Sequence, residues 1–461
     1  MIEGYLGEDV FREGVRSYLR RYAEGNASAD DFWRELDAAS GQDVTKIANA
    51  WINEPGHPLV ECEARESDGD LEITLTQARY FSDAGARPTG QLWPVPLVIR
   101  YGAGDGTKEK RMLLTTERAT LRLEGARWFY PNAGGRGFYR FKLTGISAER
   151  LDQGITRLSA EERLNLIDNL WALTRHGKAT LAQFMRRLET LRGEEDRAVI
   201  QAISEALNWI ANYAVRDATD AAFQRFVEDL YRPMFGPLGL ETRADDDPDT
   251  REKRSRVIVM LGMYGGAGDV REEAARRVRA HLDGTMRLDP DVAGALINVA
   301  ASDGDEVLYD RYIKRMKRAA ADDPQEESRF RQALVSFQRP ALVRRTTEAI
   351  FSDLIRPMER GLLVIPLLQQ RRARPVAWPI IRDRWDEEVA TAEPLLKQRF
   401  VNAVSQLAQP GLAEEAARFL EAKRTPDVNE VVTQSVERLR VNAAAAQRLG
   451  DELGDALSVP A

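Results

Sequence analysis

Three histidines and one cysteine are the side chains of this 461-residue sequence best suited to ligate a metal or attack a carbonyl. His57 stands in a turn, His176 ends a helical stretch beside Gly177, and His281 lies near the end of the helical stretch 274–282. Convergence of the three on one metal would need the fold to gather distant segments. The plainer reading is structural, because a histidine at a helix C-terminus meets the negative end of the dipole. Cys62 shares a strand face with Val60 and Ala64, so a buried thiol is expected rather than a nucleophile, which needs a base to activate it. A lone cysteine leaves no intrachain disulfide and no thiolate zinc cluster.

Arginines supply the other candidates. The cluster Arg371-Arg372-Ala373-Arg374 lies between helices and has two readings, a carboxylate or phosphate site and a plain exposed loop. The second is expected. Arg163 and Arg254 sit inside regular helices and are expected to cross-link neighbouring helices through buried ion pairs. The mixed run Arg271-Glu272-Glu273-Ala274-Ala275-Arg276-Arg277 reads as a solvated helix face, and Trp33, Trp51, Trp171 and Trp209 fall on apolar stripes, where they pack. Catalytic residues and metal ligands are therefore expected to be none, and the substrate-binding residues stay unassigned.

The elements that must carry these side chains change character twice. Residues 1–56 are helical. Phe11, Val15, Tyr18 and Tyr22 recur at helical spacing, Gly25 is expected to supply the left-handed stop, and Ser28 with Asp31 forms a capping box. Over 57–144 the period becomes two: Leu71, Ile73 and Leu75 alternate with Glu72, Thr74 and Thr76, and Ser67-Asp68-Gly69-Asp70 reads as a hairpin turn. Further strands are expected at 95–101, 110–116, 119–123 and 138–142, making a small antiparallel β-sandwich, with Pro94 and Pro96 at a strand edge or start. From 145 to 461 the chain is helical again, in a succession of pairs expected to stack as a HEAT- or armadillo-like α-solenoid. The fold class is thus mainly α and multidomain, with residues 242–250 as the expected mobile loop.

Composition restricts the function classes. With 43% apolar and 30% charged residues the chain is globular, and a net charge of −7 argues against sequence-independent nucleic-acid binding. No apolar run approaches the ~18 residues of a membrane span, and the acidic opening is no signal peptide. A cytoplasmic protein is expected.

Several segments together resemble one family. Met1-Ile2-Glu3-Gly4-Tyr5-Leu6-Gly7-Glu8-Asp9-Val10-Phe11-Arg12-Glu13-Gly14, then Gly25-Asn26-Ala27, Asp31-Phe32-Trp33 and Trp51, are similar to the last catalytic-domain helices of the zinc aminopeptidases related to aminopeptidase N. The exit Gly56-His57-Pro58-Leu59-Val60 resembles the family's entry into its sandwich, where position 57 is more often aromatic. Trp128, Asn132 and Gly137-Phe138-Tyr139-Arg140-Phe141 match the sandwich end. Leu158-Ser159, Arg163 and Leu166-Ile167-Asp168-Asn169 match the start of the helical C-terminal domain. The resemblance implies peptide substrates, zinc held by H-E-x-x-H and a third glutamate, and a tyrosine at the oxyanion. No His-x-x-x-His occurs in this sequence, so the resemblance places all of that chemistry before residue 1 and no cofactor in this chain.

Three functions follow as expectations. The chain is the non-catalytic C-terminal portion of such an aminopeptidase, split or truncated at Met1, forming a lid and peptide chamber, with a separate catalytic domain packing against Leu6, Val10 and Phe11. Alternatively it is a stand-alone solenoid binding peptides or proteins. An independent enzyme with a non-local site is the third, and it lacks a visible constellation.

Overall fold

The computed structural model describes residues 1–87, 89–152 and 155–458. Two compact units divide at Ala179/Thr180. The first holds helices α1 (Ile2–Leu6), α2 (Glu8–Arg21), α3 (Ala29–Ser40) and α4 (Val44–Asn53), strands β1–β7, then α5 (Ile146–Asp152) and α6 (Ala160–His176). The aromatic stripe of α2 packs on α3: the Phe32 ring meets Tyr18 edge-on at 5.2 Å and Phe11 at 6.4 Å. The Ser28–Asp31 capping box forms as expected. The left-handed residue after α2 is Glu24, at φ 58°, rather than Gly25. Helix α2 ends at Arg21, so the reversal comes one residue early.

The strands are β1 (Pro58–Ser67), β2 (Asp70–Arg79), β3 (Val95–Ala103), β4 (Gly106–Leu114), β5 (Arg118–Leu123), β6 (Ala126–Tyr130) and β7 (Arg140–Gly145). They form two sheets, β5-β2-β1-β7 and β4-β3-β6. Asp68 and Gly69 both have positive φ, the two-residue turn whose twist suits a hairpin. Pro96 is the second residue of β3, at the strand's beginning. One pairing departs from the antiparallel expectation: β7 runs parallel to β1, with Val60 opposite Phe141. The chain arrives there from β6 in the other sheet, and a crossover, unlike a hairpin, allows parallel alignment. The β3–β6 register shifts at Gly102, where a Cβ would lie 2.1 Å from the Trp128 ring nitrogen. Only glycine fits that bulge.

Helix α6 is clamped to this sandwich by the residues of the sequence motif. The Asn169 carboxamide accepts from Phe141 N at 2.8 Å and donates to Phe141 O at 2.5 Å. Asn132 closes the turn before β7 by accepting from Gly137 N at 2.6 Å and reaches Asn165 on α6 at 3.0 Å. Buried Glu162 takes the Arg100 guanidinium through its Nε at 2.9 Å. The change of sequence period at 144/145 thus precedes the contact boundary, which falls after α6.

The second unit contains α7 (Leu181–Glu189), α8 (Arg197–Tyr213), α9 (Asp217–Leu238), α10 (Pro248–Val259), α11 (Gly268–Leu282), α12 (Pro290–Ser302) and α13 (Glu306–Asp322). It continues with α14 (Pro324–Ala333), α15 (Pro340–Ile350), α16 (Pro357–Gln369), α17 (Arg374–Asp383), α18 (Pro394–Val404), α19 (Ala413–Ala422) and α20 (Asn429–Ser458). Helices pack on the next but one: α10 on α12, α12 on α14, α15 on α17, α16 on α18, α18 on α20. Helix α20 also returns to α7, α8 and α9. Tyr213, Ala408 and Ala446 share a buried cluster there, and Glu452 accepts from Leu181 N at 2.8 Å. None of the described helices is long and apolar enough to cross a membrane.

Candidate functional site

A cavity of about 520 Å³ opens within the second unit, a size in the ordinary range for ligand sites. Its walls come from α8, α9, α10, α11, α12, α14, α16 and the turn after α16. A π-turn over Met260–Tyr264 follows α10 and brings Met263 and Tyr264 to the wall. Gly262 in that turn lies where a Cβ would meet Val299 at 2.5 Å, so α12 sets how closely the turn approaches.

One wall is apolar, with Phe223, Val259, Met263, Leu362 and Pro366. The rest is rich in uncharged carboxamides, most of them fixed at one end. Asn208 accepts from Tyr264 OH at 2.6 Å and from Asn212 Nδ2 at 2.8 Å. Asn298 accepts from Ser336 Oγ at 2.7 Å and donates to Gly294 O at 2.7 Å. Gln370 donates to Val335 O at 2.7 Å, and Gln338 accepts from Arg372 at 3.1 Å. Burial pushes the Tyr264 hydroxyl pKa above its ordinary value, so it stays a neutral donor.

The charges at this wall are matched among themselves. Arg371 reaches Asp220 at 3.0 Å and Asp217 at 3.3 Å, Arg372 reaches the same Asp220 at 3.0 Å, and Arg271 reaches Asp303 at 3.4 Å. Three guanidiniums therefore face three carboxylates. Behind them Arg374 is wholly buried, donating to Asn212 O at 2.8 Å and lying 4.6 Å from the Tyr213 ring centre. Loss of hydration brings its pKa down to about 10, so it remains charged at neutral pH. The plain exposed loop expected for Arg371–Arg372–Ala373–Arg374 is thus corrected: the segment staples α8 and α9 to the turn before α17.

The other sequence candidates are scattered. His57 stacks on Tyr80 at 5.2 Å, and His176 approaches the same ring at 5.6 Å. Burial first, then the charges of Arg140 and Arg79, hold the His57 pKa below its ordinary value, which favours the neutral ring. His281 is in the other unit, where its Nε2 lies 2.6 Å from Glu326, which Arg315 also grips. Among the described residues no cluster of three or more His, Cys, Asp or Glu could hold a metal. The residues present do not fit a catalytic zinc. Cys62 is fully buried, and burial pushes its thiol pKa far up. Arg254 is 1% exposed and pairs with Asp246 at 2.6 Å. Asp246 belongs to the segment expected to be mobile, which is instead anchored: Arg243 N and Arg254 both bind it, and Asp247 caps α10. Arg163 donates to Leu158 O at 2.9 Å. Leu6, Val10 and Phe11 are half-buried. The cavity carboxamides escaped the sequence reading because they are spread from 208 to 370; the linear cues are Asn208 and Asn212, a helical turn apart on α8, and the adjacent Gln369-Gln370.

A family profile described as the ERAP1-like C-terminal domain matches residues 128–441. The chain belongs to this family. A second profile, the peptidase family M1 domain, matches residues 1–51, the helices α1 to α4. Among curated relatives, the chain is 25% identical over 461 residues to "Aminopeptidase M1-A" of Oryza sativa subsp. japonica, covering 96% of this chain and 51% of that one. It is 27% identical over 473 residues to "Aminopeptidase M1" of Arabidopsis thaliana, covering 96% and 52%. It is 27% identical over 316 residues to "Puromycin-sensitive aminopeptidase" of Caenorhabditis elegans, covering 67% and 33%. This member of the ERAP1-like family spans about half the length of the first two relatives.

Proposed function

We propose that this chain is the non-catalytic C-terminal portion of a zinc metalloaminopeptidase and forms the lid and peptide chamber over an active site carried upstream. The observation that supports it best is the match along nearly all of this chain to half of proteins named aminopeptidases, joined to the absence of any His-x-x-x-His from the sequence. In this reading residues 1–56 are the helical tail of the catalytic domain, 57–144 a sandwich spacer and 145–461 a stacked-helix domain that admits flexible peptides and keeps folded proteins and bulk water from the site. Its cysteine usage suits the cytoplasm.

The complex is tested by mixing the purified chain with a polypeptide carrying H-E-x-x-H and following hydrolysis of an aminoacyl-coumarin. The chain alone gives no hydrolysis, and a stoichiometric mixture associates and gains it. A mixture that neither binds nor hydrolyses removes the proposal. A second reading, a peptide-binding module without a catalytic partner, is favoured by the cavity's construction from one unit alone. It predicts peptide binding by the chain with no change when the zinc-bearing polypeptide is added.

A further inference from the structure

We infer that the cavity of the helical unit recognises the main chain of an uncharged, extended peptide segment through its carboxamides, rather than either charged end of a peptide. This rests on the peptide-chamber reading and names what part of the peptide the chamber holds. A site built to read a terminal carboxylate or ammonium needs an unmatched opposite charge. Here the three arginines at the wall are already engaged by three aspartates, and an incoming carboxylate would have to displace Asp220 from two guanidiniums at once.

The neutral groups are the ones left available. Gln370 is held through its Nε2, and among the described residues no donor reaches its Oε1. Gln338 is held the opposite way, through its Oε1 on Arg372, and among the described residues its Nε2 takes no acceptor. The Gln369 side chain, one residue before Gln370, makes no hydrogen bond among the described residues. Fixed donors and acceptors of this kind have the chemistry of the peptide group itself and can pair with both its N–H and its C=O. Side-chain identity is then read only coarsely, by the apolar wall. Leu362, 55% exposed, sits on that wall, and Met358, 59% exposed, continues the same face of α16 one turn back. An apolar side chain of the bound segment covers that ridge.

Calorimetric titration of the intact chain tests this with three peptides of alanine, leucine and serine: one acetylated and amidated, one with free ends, and one end-blocked but N-methylated at alternate main-chain nitrogens. The blocked and free peptides are expected to bind within about twofold of each other, and N-methylation to weaken binding about tenfold, the ~1.4 kcal/mol of a lost hydrogen bond. Gln338→Leu and Gln370→Leu should each weaken it several-fold, the first without moving Tm and the second with a small fall in Tm, because Val335 O loses its donor. Binding that requires a free end, binding indifferent to N-methylation, or no binding of any peptide would each overturn the inference. If no peptide binds while the zinc-bearing mixture gains activity, the chamber reading stands and this assignment alone falls. If peptides bind as described and no mixture is active, the reverse holds.

Discussion

Arg254 and Asp246 show what a buried ion pair does for a loop. Asp246 lies in the run Asp245-Asp246-Asp247, where three adjacent carboxylates read from sequence as a solvated turn. The structure separates them: Asp245 is exposed, Asp247 caps α10, and Asp246 turns in to meet a guanidinium that has almost no access to water. The hydrogen bonds from Arg254 and Arg243 hold the Asp246 pKa below its ordinary 3.8. A carboxylate depressed in the folded state adds stability that is complete above its ordinary pKa and is lost as pH falls toward the folded value. Asp246→Asn is therefore expected to lower Tm at pH 7, because the buried Arg254 guanidinium loses its carboxylate partner, and to flatten the fall of Tm below about pH 4. Asp245→Asn should change neither. Thermal melts of both variants from pH 3 to 7 check this. At this scale the sequence was legible where a residue answers its neighbours, as in the Ser28–Asp31 box or the Asp68-Gly69 turn. It was illegible where the partner is remote: Arg371 joins Asp220 across 151 residues, and no local pattern announces it.

Elements were read more fully than their ends. Period two and period 3.6 separate the sandwich from the helices because burial of one face dictates them. The direction of β7, the early end of α2 and the π-turn after α10 depend on what the element meets next. Helix α20 shows how much such contacts matter. A Cβ at Gly450 would lie 3.1 Å from Ala214 O and 2.9 Å from the Arg216 guanidinium, so glycine is what allows α20 to approach the α8–α9 turn. One turn later, a Cβ at Gly454 meets nothing nearer than Thr219 Cγ2 at 3.9 Å. The two glycines should respond with opposite sign. Gly454→Ala gains helix propensity and is expected to stabilise the protein by about 0.5–1 kcal/mol. Gly450→Val overfills the contact and should cost about 1–3 kcal/mol. Denaturant unfolding of the two variants measures both, and equal effects would mean that α20 does not press on that turn.

At the scale of the helical unit, the stacked pairs expected from sequence carry an added constraint. An open stack transmits damage only to its neighbours, because each repeat touches the next and nothing else. Here the last helix also packs on the first three helices of the unit. Asp451 pairs with Arg216 at 2.7 Å and Glu452 holds the start of α7, while Gln406, in the turn after α18, accepts from Tyr213 OH at 2.9 Å. Those same helices, α8 and α9, supply Asn208, Asn212, Asp220 and Phe223 to the cavity, so the closure fixes one of its walls. Ending the chain after residue 440 removes Ala446 from the Tyr213–Ala408 cluster and leaves Trp209 beside it uncovered. Hydrogen exchange in that truncated protein should then rise over residues 181–238, more than two hundred positions before the cut, together with a red shift of tryptophan emission. An open stack would instead lose protection only over α18 and α19. The same truncation should weaken the end-blocked peptide even though residue 440 and everything before it, including every cavity residue, is retained.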